Sequence, residues 1–277
     1  MSPSGALPVG GLLVMEPYVA FQCADDRFDA VGRSRSLAAS SCAASNFTAV
    51  KYGVTRSFSL QVIPTIARQK SAGKWGSLGL GDLPVDLMWR VLDEDSRHRY
   101  PTLSVLGGIG FPTGRYQKLA SMADATGSGE WQLRMGLAAQ SLQAMPNHRP
   151  LRLRGWLSLH MPLACISVRG LNVYGLPAGM VSTARPGMSG QGGLAGEYGI
   201  DRHWVFALDL VRDWSNGSRI GRSGRRAMPS RGAWEVAPAI EYNWSVKLGI
   251  IAGAVIPVAG QNEARAFGAQ VATNIIF

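Results

Sequence analysis

The chain has 277 residues, of which 46% are hydrophobic and only 17% charged, with 34 glycines. That is little charge for a water-soluble surface, so something other than water is expected to cover part of it. No apolar run reaches the roughly eighteen residues of a membrane-spanning helix, and the longest, Leu248 to Ala259, is broken by Gly and Pro, which excludes a helical membrane protein.

The chain opens with MSPSGALPVGG, which has neither a basic n-region nor a long apolar h-region. Either a secretory signal has been removed, or the start lies too far downstream, or the chain does not reach a membrane. From there the dominant pattern is period two, as expected of strands with one face toward an apolar medium. From Ser57 to Ala67, Phe58, Leu60, Val62, Pro64 and Ile66 alternate with residues such as Ser57, Ser59, Gln61 and Thr65. From Glu130 to Gln140, Trp131, Leu133, Met135, Leu137 and Ala139 alternate with Glu130, Gln132, Arg134, Gly136, Ala138 and Gln140. Similar segments run near residues 15–21, 46–52, 83–91, 103–111, 151–161, 188–198, 204–214, 234–244, 246–256 and 267–277, for a total of about twelve strands.

Three segments repeat a local motif of charge, Tyr, tight turn and new strand: KYGVTRSFSL from Lys51, EYGIDRHWVF from Glu197 and EYNWSVKLGI from Glu241. Tyr52, Tyr198 and Tyr242 would then face outward at interfacial depth. Longer Gly-, Ser- and charge-rich segments are expected as loops at 22–44, 69–77, 112–127, 162–186, 215–230 and 258–264. Alternation of short turns with long loops is the habit of outer-membrane barrels.

The reading is therefore all-β: a single-domain, transmembrane, antiparallel up-and-down β-barrel over residues 1–277, of about twelve strands. Residues 1–10 would form a periplasmic or plug segment, with long surface loops at 162–186 and 215–230. The final strand places Phe267, Ala269, Val271, Thr273, Ile275 and Phe277 on one face, and its terminal Phe resembles the signal by which such barrels are recognised for assembly.

SLGLGDLPVDLMWRVLDED from Ser77, GIGFPTGRY from Gly108, ATGSGEWQLRMGL from Ala125 and EVAPAIEYNWSVKLGIIAGAVIPVAGQN from Glu235 resemble the outer-membrane family named after the meta-pathway of phenol degradation. The resemblance implies a bacterial outer-membrane channel for passive passage of small hydrophobic or aromatic compounds. Outer-membrane lipid, lipopolysaccharide and the barrel assembly machinery are the expected partners of such a barrel, and no cofactor is expected. Residues 22–44 and 162–186 depart most from the pattern.

A net charge of +10 and a pI near 10.0 invite nucleic acid, a membrane surface or an anion-selective pore. No base-stacking or zinc module accompanies the charge, so nucleic acid is not expected. Alternation assigns Glu16, Asp82, Asp86, Glu130, Glu197, Asp209, Asp213, Glu235 and Glu241 to the lumen, against Lys51, Arg90, Arg134, Arg152, Arg154 and Lys247. Arg90, Glu130, Arg134, Arg152, Arg154, Asp209, Glu235 and Glu241 are the expected contributors to the passage. Arg219, Arg222, Arg225 and Arg226 are expected on the outer loops, in reach of lipopolysaccharide phosphates.

Cys23, Cys42 and Cys165 fit no metal spacing: the first two either bridge one loop or remain free thiols. The sequence lacks HExxH, GxSxG and a P-loop, and its one SxxK, at Ser71 to Lys74, falls in a Gly-containing loop. His160 and His203 are expected to face inward, which opposes a lipid hydrolase with Ser and His on the outer wall. The alternative of another class is a soluble lipocalin-like or sandwich protein binding a small ligand.

Overall fold

A computed structural model describes residues 7–95, 100–221 and 226–277, with the backbone alone at 226 and 227. It is a closed antiparallel barrel of twelve wall strands, each paired to its sequence neighbours and the first to the last. The strands are β1 (Leu13–Phe28), β2 (Ser34–Gly53), β3 (Phe58–Val62, resuming at Thr65–Ser71) and β4 (Gly79–Leu80, resuming at Leu83–Leu92). Next come β5 (Thr102–Phe111), β6 (Gln132–Ala144), β7 (Pro150–Pro162) and β8 (Ser189–Gly199). β9 (Trp204–Ser215), β10 (Arg231–Ser245), β11 (Leu248–Gln261) and β12 (Phe267–Ile276) complete the wall. Closure matters because an open sheet would leave a row of unpaired N–H and C=O groups that lipid cannot satisfy.

Each strand turns one face outward, and that face is apolar. Met135, Leu137, Leu153, Leu157, Leu194, Leu208 and Leu210 all stand exposed on it. Two aromatic belts bound this surface. Toward the short turns lie Phe58 stacked on Trp89 and the Trp204–Tyr242–Trp244 cluster; toward the loops lie Phe111 against Trp131 and Phe21 beside Trp75. From Trp204 to Arg212 the wall covers ~26 Å of strand, or ~20 Å of height at the usual barrel tilt. That suits the apolar band of a bilayer-spanning barrel.

Residues 22–44 are not a loop. β1 and β2 run on past the rest of the wall and are joined only by residues 29–33, with Cys23 paired to Cys42 and disulfide-bonded to it. The Ser- and Ala-rich composition reads as loop, but the polar residues belong to a hairpin that projects beyond the apolar band. Likewise β3 extends to Ser71 and β11 to Gln261.

Residues 163–188 and the described residues of 216–230 are also more ordered than a plain loop. Ile166–Arg169, Val181–Arg185, Arg219–Ile220 and Arg226–Ala227 form a separate antiparallel sheet. Its own apolar cluster consists of Val168, Tyr174, Leu176, Ala184 and Ile220.

Candidate functional site

The inner faces of the strands enclose the candidate site. Alternation is its cause: the residue before each outward Leu or Trp points inward, so the wall supplies polar groups at a fixed spacing. On the long-loop side the enclosed space is about 1120 Å3; on the short-turn side it is about 190 Å3. Glu16, Tyr18 and Lys51 line both spaces and mark where they meet. There the rings of Tyr18 and Phe47 stack at 4.5 Å, and Lys51 pairs with Glu16 at 2.9 Å.

One wall carries a continuous polar row. Gln61, Asp86, Gly108, Arg134 and His160 are direct cross-strand partners in turn, from β3 to β7. Asp86 is fully buried; Arg134 meets it through Nε at 2.8 Å, and Gln61 Nε2 donates to it at 3.3 Å. His160 Nε2 lies 3.1 Å from Arg134 Nη1. Gly108 makes the ion pair possible, because a Cβ there would lie 2.2 Å from Asp86 Oδ1 and 2.4 Å from the Val85 carbonyl oxygen.

From the lower part of β7 onward the wall is built differently. Arg152 and Arg154 both pair with Glu197, the first at 2.8 Å. Beside them Ala207, Ala237, Ala239, Gly253 and Ala272 leave the small cavity its room. Higher up, Trp156 lies against Gly193, where a Cβ would come within 2.5 Å of its ring, and Trp156 Nε1 donates to Gln191, which donates to Asp213.

Both mouths are narrowed. Residues 7–12 fold over Gly53 at the short-turn rim: Leu7 is buried, the Pro8 carbonyl accepts from Ser59 Oγ at 3.2 Å, and a Cβ on Gly53 would lie 2.1 Å from the Val9 carbonyl oxygen. At the other mouth, the Tyr174 hydroxyl of loop 163–188 lies 2.8 Å from both a Glu130 carboxyl oxygen and the Ser128 carbonyl oxygen, to either of which it can donate. Burial pushes the Glu130 carboxyl and the Tyr174 phenol above their ordinary values.

The structure places the expected lumen residues as follows. Arg134, Arg152, Arg154, Asp209, Glu241 and Glu130 line the two spaces. Glu235 shares their face, opposite Val211 and Pro257. Arg90 sits low on the inner face, its guanidinium bound to the Arg56 carbonyl and paired with Asp93. Lys247 is not in the lumen but in the exposed turn between β10 and β11. His203 does not face inward either: it belongs to the turn before β9, stacks on Tyr242, and its Nδ1 lies 2.8 Å from the Asn243 carbonyl oxygen.

Arg219 is exposed on the loop sheet, whereas Arg222 and Arg225, like the side chain of Arg226, lie outside the described residues. β12 exposes Phe267, Val271 and Phe277 outward, with Thr273 and Ile275 on the same alternating face.

Tyr18, Phe47, Trp156 and Gln191 escaped the sequence reading. Tyr18 shares the parity of Glu16, and Phe47 and Gln191 that of Lys51 and Glu197, so extending each charged position by twos would have found them. Attention to charge alone passed over the aromatic and amide residues between.

No family profile and no curated protein matches the sequence. Among solved structures, the chain is similar to an outer-membrane channel from Pseudomonas putida F1, with a TM-score of 0.74 and 16% identity over 100% of both chains. The transport unit of the autotransporter AIDA-I from Escherichia coli gives a TM-score of 0.48 at 9% identity over 96% of this chain and 90% of that one. The first match supports the fold, an outer-membrane-type β-barrel, which in this chain has twelve strands.

Proposed function

We propose that this protein is a bacterial outer-membrane channel for passive passage of small molecules, hydrophobic or aromatic ones among them. The carrying observation is the pair of opposed faces: an apolar outer wall between two aromatic belts, around a polar interior whose cavities of about 1120 and 190 Å3 share Glu16, Tyr18 and Lys51. The Pseudomonas putida neighbour is named as an outer-membrane channel, which supports the same reading. Membership of the phenol meta-pathway family belongs to this proposal, as do residues 1–10 as a periplasmic or plug segment, of which 1–6 lie outside the described residues, and β12 as the strand read by the assembly machinery.

In this frame the short turns are periplasmic and the loops extracellular. Tyr18, Phe47 and Trp156 give an aromatic solute apolar surface, while in the Asp86–Arg134 and Glu197–Arg154 pairs opposite charges meet on the inner wall. Passage requires no cofactor and no energy source.

The test is to refold the chain into lipid bilayers and record heat-modifiable gel mobility and single-channel conductance on one preparation. A mobility shift with discrete conductance steps is expected. A chain that stays folded and monomeric in detergent-free buffer would overturn the membrane reading and favour a soluble binder; a shift with no conductance would overturn the channel.

A further inference from the structure

Above the upper aromatic belt, loops 112–131 and 163–188 meet along a groove of about 470 Å3 that includes Trp131 of the outer face. Its lining includes Tyr116, Lys118, Cys165 and Arg169, and none of its lining residues is acidic. The backbone sets the two basic residues next to each other. The Lys118 amide donates to the Arg169 carbonyl at 3.1 Å, and the Arg169 amide donates to Gln117 Oε1 at 2.9 Å. Both residues are exposed.

Lys118 holds this position with φ at 53°, in the left-handed region where a non-glycine residue persists only if its surroundings impose it. Two like charges set together repel, and an anion between them would turn that repulsion into attraction. Just below, Phe111 packs edge-on against Trp131 at 5.2 Å, and the Leu163 amide donates to the Trp131 carbonyl. The cationic groove thus stands directly over apolar wall.

Further round the barrel, at the loop-side ends of their strands, three cations sit on aromatic rings. Arg68 lies 4.4 Å over Trp75, Arg265 5.1 Å over Phe267 and Arg212 5.6 Å over Trp234. A guanidinium stacked on a ring can still offer its N–H edge to an oxyanion.

We infer that this rim binds the phosphate head of an acylated membrane lipid. The phosphate lies between Lys118 and Arg169, the acyl chains run down over Phe111, Trp131 and Leu163, and the ring-seated arginines continue the contact around the wall. The inference rests on the membrane reading above and moves the lipid contact from the loop around Arg219 to the edge of the apolar band.

Cys165 lines this groove and is the one cysteine outside the disulfide, so it reports occupancy. The full chain is placed in phosphatidylcholine vesicles alone, with lipid A, with dephosphorylated lipid A, or with inorganic phosphate in the buffer. Labelling of Cys165 by a water-soluble maleimide is then timed. Lipid A is expected to slow labelling about tenfold, and the Lys118→Gln, Arg169→Gln double variant to abolish most of that protection.

Equal labelling with and without lipid A would overturn the inference, as would equal protection by dephosphorylated lipid A. Protection by inorganic phosphate alone would reveal an anion site and reject the lipid. Heat-modifiability and conductance are read on the same vesicles. A folded, conducting barrel with an unprotected Cys165 rejects the lipid site alone, whereas a chain that does not enter the bilayer rejects both readings.

Discussion

Gly107 and Gly108 are adjacent on β5 and face opposite ways, so one methyl group added to each tests the wall at single-residue scale. A Cβ on Gly107 meets nothing within 4 Å, while one on Gly108 collides with both the Asp86 side chain and the Val85 backbone. Gly107→Ala is expected to be neutral or stabilising by up to ~1 kcal/mol, since glycine in a strand is entropically costly. Gly108→Ala is expected to destabilise by ~3 kcal/mol, as a buried ion pair is forced apart. Urea midpoints of unfolding in lipid vesicles measure both, and equal midpoints would show that the Asp86 row is not needed. A second residue-scale test concerns the loops. The Ser77 amide and hydroxyl both donate to Asp124 Oδ1, which holds the Asp124 carboxyl below its ordinary value of 3.8. A depressed carboxyl stabilises its contact above its unfolded pKa and loses that contribution as pH falls through the folded one. Hydrogen exchange at the Ser77 amide is therefore expected to be slow and constant above about pH 4 and to accelerate, after correction for the intrinsic rate, at lower pH. At this scale the sequence was legible where charge and alternation coincided, as at Arg134 and Glu197. It misled at His203 and Lys247, because a turn residue has no partner strand to fix the direction of its side chain.

Elements were easier to recognise than their ends. The three repeats from Lys51, Glu197 and Glu241 each put the charge in the lumen and the following Tyr outside, because successive residues of a strand face opposite ways. Strand limits were less legible, since hydrophobic alternation stops where the apolar band stops and hydrogen bonding does not. β1 and β2 continue for several pairs past that level as a polar hairpin, and the Cys23–Cys42 bridge ties it across. Without reductant, denatured protein is expected to take up one maleimide, at Cys165, and after reduction three. Reduction is further expected to speed amide exchange in residues 24–41 while leaving Leu13–Phe21 protected; uniform acceleration would mean that the bridge supports the whole barrel. The loop sheet formed by residues 166–169, 181–185, 219–220 and 226–227 was illegible for a different reason. Its strands are short, and their partners lie in different loops, so no local pattern announces them.

For the whole molecule, the section where the two cavities meet is the place to test for a limit on passage. Tyr18 and Phe47 stack where the two cavities meet, and replacing both with Ala is expected to raise single-channel conductance about twofold or more if this is the limiting section. Unchanged conductance would move the limit to residues 7–12, whose deletion then becomes the informative variant. The barrel shape and the apolar outer wall could be read from the sequence. The meeting of the two cavities at Tyr18 and Phe47, neighbours on β1 and β2, could not, because alternation gives the direction of a side chain and not the space left around it. The join between β1 and β12 has a consequence in time. Its partners, from Val14 with Ile276 to Cys23 with Phe267, come from opposite ends of the sequence, and Pro17 interrupts the ladder by lacking an N–H. A ribosome delivers the first partner long before the second, so β1 must wait with one hydrogen-bonding edge unsatisfied until everything between has been made. Such distant pairing folds slowly and leaves a sticky edge exposed meanwhile, so the nascent chain is at its most vulnerable in the interval before that last seam is sewn.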